Sequence, residues 1–128
     1  MRLLLDTHTF LWFIEGNDSI SDTARAAIEN SANQKLLSIA SLWEIAIKVS
    51  IGKLEVEMPM TELVEEQVFG NAFGILSILP KHLNELSDLP FHHKDPFDRL
   101  IIAQGLAEKM SIISIDKAFR DYSVRIVW

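Results

Sequence analysis

The sequence has no cysteine, which excludes disulfide staples and thiolate metal sites together. It has no apolar run near the ~18 residues that a membrane-spanning helix requires. No internal repeat, low-complexity tract or linker divides the chain, so a single domain over residues 1–128 is expected. Positive charge is also short: 12 Lys and Arg stand against 18 Asp and Glu, for a net charge of −6. That runs against the basic surface usual in a nucleic-acid binder. Two features soften the objection. Segment 55–66 (EVEMPMTELVEE) concentrates acids with no base, and can face away from a substrate. A carboxylate cluster is also far less negative once it holds a divalent ion. The N-terminus, MRLLLDTHTFLWFIEG, resembles a signal peptide superficially. Asp6 and His8 interrupt its apolar stretch and no small-residue cleavage site follows, so it reads as part of the fold. What is present is a chain of 128 residues, 48% apolar, enough to bury one substantial core. A cytoplasmic location is the expectation.

Apolar runs of strand length alternate with helical patterns. Arg2–Leu5, Lys35–Ile39, Phe73–Ile78, Ser111–Ile115 and Val124–Val127 read as five strands. Between them, Ile20, Ala24, Ala27 and Ile28 follow helical spacing behind Ser21 or Asp22 as a cap. Leu42, Ile45, Ala46 and Val49 form a second stripe that Gly52 ends. Leu63, Val64 and Val68 form a shorter one. Phe97, Leu100 and Ile101 form another, opened by Asp95-Pro96, an N-cap followed by proline at the first helical position. Strands alternating with helices predict a mostly parallel, five-stranded sheet between helical layers, an α/β/α sandwich. The unalternating strands fit burial on both faces.

Several acids sit at equivalent junctions. Asp6 follows the first strand and Asp116 the fourth, while Glu44 lies early in the helix after the second. In a parallel sheet these places share the carboxyl edge, where open α/β folds bind ligands. Asp98 lies in the first turn of the Asp95-Pro96 helix, and periodicity alone does not bring it to that edge. Clustered carboxylates repel by about 4 kcal/mol per pair at ~4 Å and an effective dielectric near 20. A proton or a cation must relieve this, and hard oxygen donors suit Mg²⁺ or Mn²⁺. Such an ion serves phosphoryl chemistry. Each acid also has a plainer reading. Asp6 caps a helix starting near Thr7, Ser41-Leu-Trp-Glu44 and Asp95-Pro-Phe-Asp98 are capping boxes, and Asp116 caps a short helix over Lys117–Arg120.

Four segments together carry a resemblance: LLLDTHTFLW at the N-terminus, SIASLWEIAIK at 38–48, HHKDPFDRLIIAQ at 92–104 and SIISIDKAFRDYSVRIVW at 111–128. In this order they resemble PIN-domain toxins of the VapC type, from Met1 to Trp128. The resemblance implies a PIN-like sandwich over the whole chain and a site in which Asp6, Glu44, Asp98 and Asp116 are the catalytic and metal-binding carboxylates. It brings Asp98 to the carboxyl edge. It implies one or two Mg²⁺ or Mn²⁺ ions, RNA as substrate, a cognate antitoxin as partner, and a homodimer. Ser114-Ile115-Asp116 keeps a hydroxyl where many members carry Thr. Asp95 is an extra acid, ranked as helix cap before metal helper. The implied reaction is in-line hydrolysis of an RNA phosphodiester, leaving 5′-phosphate and 3′-hydroxyl ends.

His92, His93, Lys94 and Arg99 flank the expected site, and with Lys117 and Arg120 they are candidate RNA contacts. Lys48, one turn after Glu44, reads as a surface ion pair, and His8 as a weak metal ligand. Phe10-Leu-Trp-Phe-Ile14, with Trp43, Ile47 and Ile51, is apolar on too many faces for a simple surface helix, so core, antitoxin groove and dimer contact all stay open. Three alternatives remain at this stage. A phosphatase of the haloacid-dehalogenase type has its nucleophile after the first strand but needs an acid where His8 stands. A binding module would have lost its chemistry. An RNA-processing PIN nuclease would lack an antitoxin.

Overall fold

A computed structural model of the chain describes residues 1–128. Its centre is β1 (Arg2–Leu5), whose three leucines are fully buried and point to alternate sides of the sheet. Leu3 and Leu5 join Phe10, Ile28, Leu37, Ile45 and Leu63 in one apolar layer. Leu4 joins Leu36, Ile101, Ile102, Ile112 and Phe119 in the other. Burial on both faces is what the unalternating apolar runs predict.

The first layer is covered by α1 (Thr7–Glu15), α2 (Asp22–Glu29), α3 (Ile39–Ser50) and the short α4 (Met60–Leu63). The second is covered by α5 (Pro80–Asp88) and α6 (Pro96–Glu108). The remaining strands are β2 (Gln34–Ser38), β3 (Phe73–Leu76), β4 (Ser111–Ile113) and β5 (Ile126–Val127). The sheet has five strands in the order β3-β2-β1-β4-β5, and every pairing is parallel. The expected α/β sandwich is therefore present.

Three local expectations differ. Ile39 opens α3 instead of ending a strand, because the Ser38 hydroxyl accepts from Ala40 N–H and turns the chain into the helix. Ser41 consequently does not cap. Its Oγ accepts from Thr7 Oγ1 at 2.9 Å, tying α3 to α1, and Glu44 falls in the second turn. The expected strands at 73–78, 111–115 and 124–127 are shorter, ending at Leu76, ending at Ile113 and starting at Ile126. The helix α5 has no counterpart among the periodic patterns, since Leu83 on it is exposed. Pro80 at its first position and buried His82 hold it instead. His82 Nδ1 accepts from Leu79 N–H at 3.0 Å, which puts the ring proton on Nε2, 2.8 Å from Glu108 on α6.

Register fixes the site. Leu5 pairs with Leu37 on one side and Ile113 on the other. The next residues along, Asp6, Ser38 and Ser114, therefore lie together at one edge of the sheet, with Ser38 the last residue of β2.

Candidate functional site

At that edge a cleft of about 420 Å³ is lined by Asp6, Glu44, Asp95, Asp98 and Asp116. The four acids expected from the sequence, and the fifth ranked as a cap, thus share one cavity. Their other partners show how each is held. Asp6 is buried as the N-cap of α1: Oδ1 accepts from Thr9 N–H at 2.7 Å and Oδ2 from the Ser114 hydroxyl at 2.5 Å. Burial pushes its carboxyl up, and the bonds from Ser114 and Thr9 oppose the shift. Asp95 caps α6 by accepting from the N–H groups of Phe97 and Asp98. Asp116 caps the single helical turn Lys117–Asp121 by accepting from Ala118 N–H at 2.9 Å. Capping and cleft lining coexist, because the N-terminus of a helix following a strand faces the carboxyl edge.

Asp98 needs its helix to begin there. The 89–93 loop carries the chain to the edge, and Arg99 clamps that loop. Its guanidinium donates to the carbonyls of Pro90 and Leu89 and lies 4.3 Å from the centre of the Phe91 ring. Arg99 was expected among RNA contacts; it is buried and its donors are committed to the protein interior, which corrects that expectation. Asp98 is perturbed as well. Burial first, then the charge of Asp95, push its carboxyl up to about 7, and the neighbouring His93 opposes. His93 Nε2 lies 2.9 Å from Asp98 Oδ2 and 3.5 Å from Asp116 Oδ2, so it stands inside the carboxylate group. Its ring, with Asp98 and Asp116, forms a set of donors close enough to share one ion.

Glu44 is buried and only one of its oxygens is answered. Oε2 lies 2.8 Å from Lys48 Nζ, while Oε1 is buried with no hydrogen-bond partner. An unanswered buried acceptor costs about 1–3 kcal/mol, more when charged. An oxygen-rich donor set with one orphaned carboxylate oxygen and one carboxyl raised to about 7 fits a hard divalent cation. Lys48 makes the expected i,i+4 pair with Glu44 and, with Lys53, also lines the cleft wall.

The other basic residues fall elsewhere. His92 packs against Tyr122 and lines a separate hollow. Lys94, Lys117 and Arg120 are exposed and do not line the cleft. His8 does line it, edge-on to Trp12 at 4.3 Å. The acids of segment 55–66 lie outside it. Of the run 10–14, Phe10 is core, and Leu11 and Trp12 form an apolar part of the cleft wall. Trp43 and Ile51 are each 58% exposed, so they serve no core of this chain. The supporting hydroxyls of Thr9, Ser41 and Ser114 were not assigned from sequence. Ser114 was legible as the hydroxyl two residues before Asp116, though nothing in the sequence shows that it reaches Asp6.

The chain has structural likenesses at low sequence identity. VapBC2 from Rickettsia felis, solved bound to a DNA fragment from their promoter, matches with TM-score 0.73 at 18% identity, over 98% of this chain and 97% of that one. VapBC-1 from nontypeable Haemophilus influenzae matches with TM-score 0.68 at 13% identity, over 98% and 96%. FitAcB from Neisseria gonorrhoeae matches with TM-score 0.61 at 15% identity, over 97% and 95%. No curated protein sequence matches the chain significantly. The PIN-domain family model matches residues 3–124, spanning every carboxylate of the cleft, and the chain belongs to the PIN-domain family of nucleases.

Proposed function

We propose that the chain is a divalent-metal-dependent endoribonuclease and the toxin of a toxin–antitoxin pair. The observation that carries the chemistry is the convergence of Asp6, Glu44, Asp98 and Asp116 on one cleft, with the buried Oε1 of Glu44 lacking any partner. Asp6, Glu44 and Asp98 are the residues to hold Mg²⁺ or Mn²⁺, with Asp116 beside them and His93 bridging Asp98 and Asp116. When bound, such an ion supplies an activated water and positive charge where the phosphodiester accumulates negative charge. The chain's own residues do the rest. Thr9 and Ser114 hold both oxygens of Asp6, which orients its carboxylate and opposes the upward push of burial. Asp95 caps α6 and so holds Asp98 in the first turn facing the cleft. In-line hydrolysis would leave 5′-phosphate and 3′-hydroxyl ends.

The toxin setting is supported by the sequence resemblance and by likeness to chains of VapBC and FitAB assemblies. It implies an antitoxin partner. No helix is long and apolar enough to cross a membrane. The test is purified chain with single-stranded RNA in Mn²⁺. Cleavage that a chelator stops and that Asp98→Asn removes supports the reading. Undiminished cleavage by the Asp98→Asn chain would refute the site, and growth arrest unaffected by co-expression of the neighbouring small open reading frame would refute the toxin setting.

A further inference from the structure

Two lysines line the acid cleft, and the end of α3 brings both there. The helix closes in a Schellman turn, in which Gly52 N–H donates to Val49 O at 3.1 Å and Lys53 N–H to Lys48 O at 2.9 Å. Gly52 occupies the left-handed region at φ +74°, which a side chain would strain. The turn folds Lys53 back beside the helical turn that carries Lys48. Lys48 gives Glu44 Oε2 one contact at 2.8 Å, and its side chain is 45% exposed. An ammonium has three donors, so two remain for a ligand in the cleft. Lys53 is exposed and pairs with no carboxylate, although Asp6, Glu15, Glu44, Asp95, Asp98 and Asp116 line the same cavity. Both cations thus stand on one wall of an acidic cleft with donors uncommitted. The other basic candidates are committed or displaced: Arg99 is consumed by the 89–93 loop, and Lys94 and Lys117 lie outside the cleft.

We propose that Lys48 and Lys53 contact the phosphates of a single RNA strand, receiving its backbone on the α3 side of the carboxylates. The assignment rests on the nuclease reading and adds the direction from which substrate enters. A cleft of about 420 Å³ is within the range of small-ligand sites, which is room for part of one strand. The two ammonium groups also offset part of the negative charge of the cleft, which otherwise repels a polyanion.

The experiment measures KM and kcat for a single-stranded RNA oligonucleotide in Mn²⁺ at several monovalent salt concentrations, with Mn²⁺ affinity read separately by calorimetry. Lys53→Gln is expected to raise KM about fourfold near 0.15 M salt and to lower the log–log salt slope by about 0.7, the value of one single-strand phosphate contact. Its kcat and Mn²⁺ affinity should hold, and Lys53→Arg should restore KM. Lys48→Gln also alters the partner of Glu44, so its supporting result is the same fall in salt slope. Unchanged KM and slope in Lys53→Gln would overturn the proposal, as would a larger effect from Lys117→Gln. Wild-type chain that binds Mn²⁺ but cleaves no RNA sinks the nuclease reading, and the lysine assignment with it. Wild-type cleavage with an indifferent Lys53 sinks the assignment alone.

Discussion

Asp98 sets the pH behaviour of the cleft. With its carboxyl raised to about 7 by burial and by Asp95, the side chain carries a proton through much of the acidic range. Cation capture needs the ionised form, so Mn²⁺ affinity should fall about tenfold per pH unit below 7. Calorimetry in buffers of different ionisation enthalpy would show one proton released near pH 6. Asp95→Asn separates two roles, because Asn caps a helix as well as Asp does but brings no charge. Stability should stay within about 0.5 kcal/mol while the midpoint of the pH profile moves below 7. An unmoved midpoint would show that the charge of Asp95 does not act on Asp98. Asp6→Asn and Asp98→Asn should each cost about a thousandfold in kcat, several kcal/mol of charge stabilisation, without unfolding the chain. Asp6, Glu44 and Asp116 were readable from their places after strands, and Asp98 only through the resemblance. Part of their support was not: Ser114 crosses from β4 to Asp6 and His93 folds back from its loop to Asp98, contacts that no spacing encodes, whereas the Thr9 N–H bond is the cap that Asp6 already implied.

At the level of elements, α5 and α6 are joined by a polar clasp at the end of α6 away from Asp98. Glu108 receives Lys81 at 2.7 Å, His82 at 2.8 Å and Arg2 at 3.5 Å. The Lys81 and His82 bonds hold its carboxyl down from 4.5 to about 2. A depressed carboxylate stabilises the fold above its unfolded value and loses that contribution as pH falls, here between about 4.5 and 2. Glu108→Gln should therefore be less stable than wild type at neutral pH, with the gap closing by pH 2 in acid-unfolding curves. Gly105 shows packing overriding propensity. Glycine in a helix interior costs about 1 kcal/mol against alanine. Here a Cβ would come 2.9 Å from Ile112 Cδ1 and 3.3 Å from Val124 Cγ2. Gly105→Ala should thus destabilise by about 1–3 kcal/mol, measurable by urea unfolding. The sequence announced α2, α3 and α6 by caps and stripes. It was silent on α5, where only Leu86 and the closing Leu89 reach the core and a buried imidazole and a proline supply the rest.

For the whole molecule, the order β3-β2-β1-β4-β5 was legible only as far as a parallel sheet with right-handed crossovers; which strand lies central depends on pairings between distant segments. The raised carboxyls of Asp6 and Asp98 work against the metal-free fold once ionised. Their contribution is present at low pH and is lost as pH rises toward 7 and beyond. Mn²⁺ should reverse that loss: at a hundred times its Kd it adds about 2.7 kcal/mol, a rise in Tm readable by calorimetry at pH 8 and small at pH 5. The bond from Ser114 to Asp6 spans nearly the full length of the chain, |i−j| = 108. A ribosome must therefore have made almost everything before β4 can take its place beside β1 and complete the carboxylate set. On the nuclease proposal, an interrupted synthesis product ending ahead of Ser114, which lacks both that hydroxyl and Asp116, is expected to leave surrounding transcripts uncut.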